Sequence, residues 1–257
     1  MPEAAPQHPQ RQRLIDLNAD LGEGGPHDEA ILAIVSSANI ACGGHTGDAQ
    51  SMRTAVRLAQ ANSVAIGAHP SFVDRDNFGR TAQHPPLDVL FTQLCEQVDQ
   101  LKQIASQEGC VLQHLKPHGA LYNQAANDTA LGDVLIRVIQ HCNPQLRLVA
   151  LAGSKLVKQA QAANLRVIRE AFADRRYNQD GSLRARTFAD ACIDEAAEVV
   201  QQTLSIVEQG QLRSVDGNWI RLHADSLCVH GDGTHALHLL EAIRSTLMTR
   251  GFVIAAH

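Results

Sequence analysis

Six polar clusters in this 257-residue chain each follow directly on a short apolar run. They are Asn18-Ala-Asp20-Leu-Gly-Glu23, Asn39 through Asp48 with His45 inside it, Gly67-Ala-His69-Pro70, Lys116-Pro-His118-Gly119, Glu170 through Arg175, and His230-Gly-Asp232-Gly. Carboxylates such as Asp20, Glu23 and Glu170 and imidazoles such as His45, His69, His118 and His230 are the side chains that move protons near neutral pH. Lys116 and Arg175 are of the type that holds developing negative charge. Asn18, Asn39 and Asp232 add hydrogen-bonding groups beside them. Lys116 directly follows a buried run, where an ammonium is costly unless it meets an anion.

Each cluster also has a plainer reading. Asp48 precedes a helical pattern and suits an N-cap, as does Asp232 or Thr234 before the last helix. The glycines permit tight turns whatever the chemistry. His84, His114, His141, His235, His238 and His257 lack a comparable setting. The arginines at 175, 176, 184 and 186 either grip a carboxylate or phosphate or form a solvated basic loop.

The elements that must position these groups alternate. Strand candidates are Leu14 to Leu21, Ser37 to Ala41, Val64 to Ala68, Val111 to Leu115, Leu146 to Leu151, Leu165 to Ile168 and Ser226 to Val229. Asp16 shares the facing of Asn18 and Asp20 by strand alternation, a position from which to orient a partner. Helical spacing recurs at Met52 to Ala59, Leu87 to Leu101, Ile193 to Val207 and Ala236 to Leu247. Strand–helix alternation implies parallel strands with helices outside. Seven such units fit a closed α/β barrel of the TIM-like kind better than an open doubly wound sheet. In a barrel the strand ends converge on one mouth, so the clusters form one site. Residues 1–13 read as a disordered tail and 14–257 as a single (β/α) barrel domain. Arg175 to Arg186 is the one long departure, with a turn signal at Asp180-Gly181.

Composition narrows the class. A net charge of -5 and 4% aromatic residues argue against nucleic acid as a partner. No apolar stretch reaches the length of a membrane span, and the first dozen residues lack the apolar core of a secretory signal. Six scattered cysteines, none in C-x-x-C spacing, read as buried reduced thiols, which places the protein in the cytoplasm. There is no G-x-x-x-x-G-K-[ST], no G-x-G-x-x-G after a strand and no G-x-S-x-G. Asp20, His69 and His118 make a plausible open metal site, and hence a metal-dependent deacetylase-like hydrolase is the alternative function. Lys116, two residues from His118, opposes a cation there, so no tightly held structural zinc is expected.

These motifs, in this order, resemble the LamB/YcsF family. The matching stretches include Asp16 to Glu23, Ser37 to His45, Gly67 to Pro70, Phe78-Gly-Arg80, Lys116 to Asn123, Glu170 to Arg175 and Cys228 to Asp232. Three positions, in two stretches, depart from the family's usual pattern. Gly44-His45-Thr46 stands for Phe-His-Ala, a change expected to widen the pocket mouth, and Ala19 stands for Cys. The resemblance implies a seven-stranded barrel of the glycoside hydrolase/deacetylase type. It also implies ATP-dependent opening of 5-oxo-L-proline to L-glutamate, ADP and phosphate, by a 5-oxoprolinase whose A subunit works with subunits B and C. ATP is then a co-substrate of the complex, and a divalent metal is an open question. The residues suit that chemistry. Lys116 and Arg175 meet negative charge, one of Asp20, Glu23, Glu170 or His118 acts as base on water, and Asn18 and Asn39 hydrogen-bond the ring amide. A non-catalytic subunit that presents substrate to its partners is the third reading.

Overall fold

The structure, a computed structural model, describes residues 13–229 and 236–257. His230 and Asp232 therefore lie outside the described residues, as does the expected tail up to residue 12. Ten strands and eight helices are described in chain order. The strands are β1 (Arg13–Leu21), β2 (Ser37–Ala41), β3 (Ala65–His69), β4 (Leu112–Leu115), β5 (Arg147–Leu151), β6 (Val167–Phe172), β7 (Gln211–Arg213), β8 (Trp219–Arg221), β9 (Ser226–Cys228) and β10 (Phe252–Ile254). The helices are α1 (Asp28–Leu32), α2 (Ala49–Ala61), α3 (Leu87–Gln107), α4 (Gly119–Ala125), α5 (Thr129–Cys142), α6 (Lys155–Ala162), α7 (Ala196–Gln209) and α8 (Ala236–Thr249).

Strands β1 to β6 pair in sequence order, all parallel. Strand β9 then pairs with both β6 and β1 and closes the barrel at seven strands. The expected fold class is thus the observed one. Strand β1 serves two neighbours on its closing side. Its first residues, Arg13 to Ile15, pair with β10, and Asp16 to Asn18 pair with β9. Strands β7 and β8 form a separate antiparallel hairpin.

The outward residues of β1, Ile15, Leu17, Ala19 and Leu21, join the apolar core. The inward residues Asp16 and Asn18 are polar and just as buried. Register carries this inner polar row around the barrel. Asn18 pairs with Ser37, Asp20 with Asn39, Gly67 with His114, and Glu170 with Ser226. The helices cover the outside with the stripes their spacing implies. Met52, Ala55, Val56 and Ala59 are the buried face of α2. Asp48 is its N-cap, accepting from Gln50 and Ser51 backbone N–H groups in a capping box, so the plainer reading of Asp48 holds. No helix among the described residues is long and apolar enough to cross a membrane.

Candidate active site

The interior polar row is one hydrogen-bonded stack. At its base the Asp16 carboxylate accepts from the hydroxyls of Ser36, Ser37 and Ser226 at 2.6, 2.7 and 2.5 Å. Asn18 Nδ2 donates to Ser226 Oγ and to Glu170 Oε1. Asn39 Nδ2 donates to Asn18 Oδ1 and Asp20 Oδ1, both at 2.8 Å. His114 Nε2 donates to Asn39 Oδ1 at 2.7 Å. Gly67 makes room for that imidazole, since a Cβ there would lie 2.0 Å from His114 Nε2. Asn18 and Asn39 are therefore spent on their neighbours. Neither lines the pocket, so both position other groups and do not meet the ring amide expected of them.

Above this stack sits the Lys116 ammonium. It lies 2.9 Å from Asp20 Oδ1 and 2.8 Å from Glu170 Oε1, and donates to Cys228 Sγ at 3.2 Å. Burial disfavours the ammonium, but Asp20, Cys228 and Glu170 together hold its pKa well above the ordinary lysine value. Burial pushes the Cys228 thiol well up despite Lys116, which favours its neutral form. Burial and then Lys116 push His114 down to about 3. Glu170 lies within β6, not beyond it, and is fully buried. Its place behind Lys116 makes it a counter-ion of that ammonium.

A second group lies beside Asp20. His45, His69, His118 and Glu23 bring one donor atom each to within 4.8 Å of one another. His69 Nε2 is 3.4 Å from Asp20 Oδ2 and 2.9 Å from His118 Nδ1. His45 Nε2 is 2.9 Å from Glu23 Oε1. Burial, then His69, pushes His45 down to about 3, and the same two causes take His118 well below its usual value. Burial also opposes a charge on His69, yet Asp20 carries its pKa above the ordinary one. The metal-capable set is thus Glu23 with three histidines. Asp20, a member of the expected triad, is instead bound to Lys116 and Asn39.

The site opens into a pocket of about 510 Å³. Asp20, Glu23, His69, Lys116 and His118 form its floor, and Arg80, Tyr122, Arg184 and Arg186 stand on its walls. The segment Arg175 to Arg186 is part of that wall, not a free excursion. Arg175 is buried and donates to the carbonyls of Ala191 and Arg184, and Tyr177 Oη accepts from Phe172 N–H at 2.7 Å. Arg175 thus faces the pocket while tying down the strap that carries Arg184 and Arg186. Burial and Arg186 lower its pKa. Arg176 turns outward to Glu198. Gly44 does not widen the mouth. A Cβ there would sit 2.4 Å from Gln97 Oε1 and 2.5 Å from Ser71 Oγ, so its bareness lets Gln97 clamp the Ser71 backbone.

Sequence reasoning passes over His114 and Arg80 as site residues. His114 lies two residues before Lys116, and strand alternation turns both inward.

Comparison with known proteins identifies the family. The A subunit of 5-oxoprolinase from Erwinia tasmaniensis is 48% identical over 242 residues, which cover 94% of this chain and 99% of that protein. A lactam utilization protein from Thermus thermophilus has a crystal structure that superposes with a TM-score of 0.89 at 36% identity, covering 95% of this chain and 100% of that one. The catalytic domain of peptidoglycan N-acetylglucosamine deacetylase from Eubacterium rectale superposes with a TM-score of 0.53 at 11% identity, over 99% of this chain and 92% of that one, a likeness of fold alone. Residues 15–257 match the LamB/YcsF family, and the chain belongs to that family.

Proposed function

We propose that this chain opens the lactam ring of 5-oxo-L-proline to L-glutamate, as the A subunit of an ATP-dependent 5-oxoprolinase that also contains subunits B and C. The observation that carries the reading is a pocket with an ammonium and a carboxylate on its floor and arginines on its walls, in a chain 48% identical to the A subunit of a 5-oxoprolinase over 99% of that protein. Opening the ring adds the hydroxyl of water to the carbonyl carbon, breaks the C–N bond and leaves a proton on the nitrogen. An amide carbonyl is a poor electrophile, and hydrolysis of ATP to ADP and phosphate supplies the drive.

Within this chain the work divides by position. Arg80 and Arg186, on the walls, meet the substrate carboxylate. Asp20 reaches the pocket with Oδ1 held by Lys116 and Asn39, and takes the proton of water. Lys116 holds that carboxylate in place. A cytoplasmic location belongs to the same proposal, supported by six free cysteines.

The experiment is a coupled assay of glutamate and ADP on the purified chain, then on the chain with subunits B and C. The complex is expected to yield glutamate and the chain alone almost none. Asp20→Asn in the complex is expected to lose roughly 10²-fold or more in turnover. A complex that consumes ATP without forming glutamate overturns the substrate, and glutamate at full rate from the chain alone overturns the dependence on partners.

A further inference from the structure

Four donor atoms, following four consecutive barrel strands, converge at the inner edge of the pocket. Glu23 comes from the loop after β1, His45 from the loop after β2, His69 from the end of β3 and His118 from the loop after β4. Around Glu23 Oε1 stand His45 Nε2 at 2.9 Å, His118 Nδ1 at 3.4 Å and His69 Nε2 at 3.9 Å. His118 Nδ1 and His69 Nε2 are themselves 2.9 Å apart. Ligand atoms on a tetrahedron of roughly 2.1 Å radius stand about 3.4 Å from one another, in the middle of this range.

The other nitrogen of each ring shows what these donors carry. His69 Nδ1 is 2.8 Å from the Lys116 carbonyl, and His118 Nε2 is 2.9 Å from the Phe78 carbonyl. A carbonyl only accepts, so both of those nitrogens bear the hydrogen. His45 Nδ1 lies 3.1 Å from Ser71 Oγ, whose own hydrogen goes to the Phe72 carbonyl, so His45 Nδ1 is a donor too. Each ring therefore presents its second nitrogen beside the Glu23 carboxylate, and that of His69 also stands 3.4 Å from Asp20 Oδ2. Two such nitrogens at 2.9 Å need an electrophile between them. A proton serves one pair, whereas a divalent ion meets all four donors at once. The backbone and serine partners behind the rings are the kind of outer support that metal-ligating histidines have.

We propose that Glu23, His45, His69 and His118 form a binding site for one divalent transition-metal ion of the zinc or cobalt kind. Three imidazoles to one carboxylate favour such an ion over magnesium or calcium, which want oxygen. Lys116 is no obstacle, because Asp20 and Glu170 neutralise it at 2.9 and 2.8 Å. The ligands are not equal. The His45 and His118 rings are stacked, parallel to within 2° with centroids 3.6 Å apart, so an ion in the plane of one lies off the plane of the other. His118 and His69 are nearly perpendicular, at 87°, and suit one ion together. Glu23, His69 and His118 are thus the prepared ligands, and His45 joins by tilting. The inference concerns binding and stands apart from the lactam reading.

The test is titration of the full chain, stripped with chelator, with Co²⁺, reading the visible bands of a low-coordinate site, and then competition with Zn²⁺. Saturation at one equivalent, displacement of cobalt by zinc, and a higher melting temperature with either ion but not with Mg²⁺ are expected. His69→Ala and His118→Ala should each weaken binding by about 100-fold or more and His45→Ala by about 10-fold, while His141→Ala, at an exposed position on α5, leaves it unchanged. Should His69→Ala not fold, the wild-type stoichiometry and the His45→Ala shift decide. Absence of a saturable one-equivalent spectrum, equal stabilisation by Mg²⁺, or unchanged affinity in the folded histidine variants overturns the site.

Discussion

Lys116 and Glu170 meet at 2.8 Å across the barrel interior, although β4, which Lys116 directly follows, and β6, which carries Glu170, are separated by β5. With Asp20 at 2.9 Å they make a buried ammonium between two carboxylates. Removing one member of such a set leaves an uncompensated buried charge, which is far more costly than the intact set is beneficial.

Glu170→Ala is therefore expected to lower stability by about 3 kcal/mol, and Lys116→Ala by a similar amount, as read by denaturant unfolding. Lys116, buried between two anions, is thus part of what holds the fold as well as part of the pocket floor. A change below about 1 kcal/mol in both variants would show that water reaches the set and screens it.

Gly67→Ala is expected to destabilise the protein by roughly 1–3 kcal/mol, because the new methyl lands on the His114 ring. His114 would have to leave Asn39 Oδ1, and Asn39 is one of the groups that hold Asp20. Turnover by the complex should fall along with the melting temperature. Wild-type behaviour on both measures would mean that His114 has a second resting place.

Asp225 offers a pH signature remote from the pocket. Burial opposes its charge, but two hydrogen bonds from the Arg169 guanidinium and one from the Arg169 backbone bring its pKa below the ordinary value. A carboxyl lowered in the folded state adds stability that is complete above its unfolded pKa of about 3.9 and disappears as pH falls through the folded one. Asp225→Asn should therefore be less stable than wild type at pH 7, by about 1 kcal/mol, with the gap closing in acid. Melting curves across that range check it, and a gap that stays constant with pH would assign the loss to packing.

Arg186 is exposed on the pocket wall. Arg186→Ala in the complex is expected to raise KM for 5-oxo-L-proline by about 10-fold with little change in kcat, since a bond to the substrate carboxylate is made equally in ground and transition states. Stability should move by less than about 0.5 kcal/mol. A fall in kcat at constant KM would place this arginine in the chemical step.

The barrel was legible because its seven strands are short apolar runs, six of which lead into conspicuous polar groups. Helices α2, α3, α7 and α8 were legible because each keeps one polar face. Helix α5 was not, since Leu131, Val134, Leu135, Ile136, Val138 and Ile139 are all buried and leave little rhythm to detect. Helix α4 has only seven residues and starts at Gly119, and β7 and β8 have three residues each. Among site residues, Asp20, Glu23, His45, His69, Lys116 and His118 do come together on one face, as the strand-end argument requires. What the sequence could not convey is which touches which. Lys116 and Asp20 are 96 positions apart, and only closure of the barrel makes the ammonium and not His69 the main partner of Asp20. Asn18, Asn39 and Glu170 were misread for the same reason. Polar types at a strand end look alike whether they face a pocket or the groups beneath it.

The double pairing of β1, with β10 at its start and β9 further on, has a consequence for how the molecule comes to exist. The seam that shuts the barrel joins Asp16 to Ser226, which are 210 positions apart, and the Ser226 hydroxyl also completes the bonding of Asn18. Without residues 226–228, strands β1 to β6 have no partner that closes the barrel, and the face carrying Asp16, Asn18, Asn39, Lys116 and Glu170 is the one left open. That wet, polar face has little tendency to stick to other chains, unlike the bare apolar edge of most half-made barrels. Closure joins residues far apart in sequence, and contacts of such high order are intrinsically slow to form.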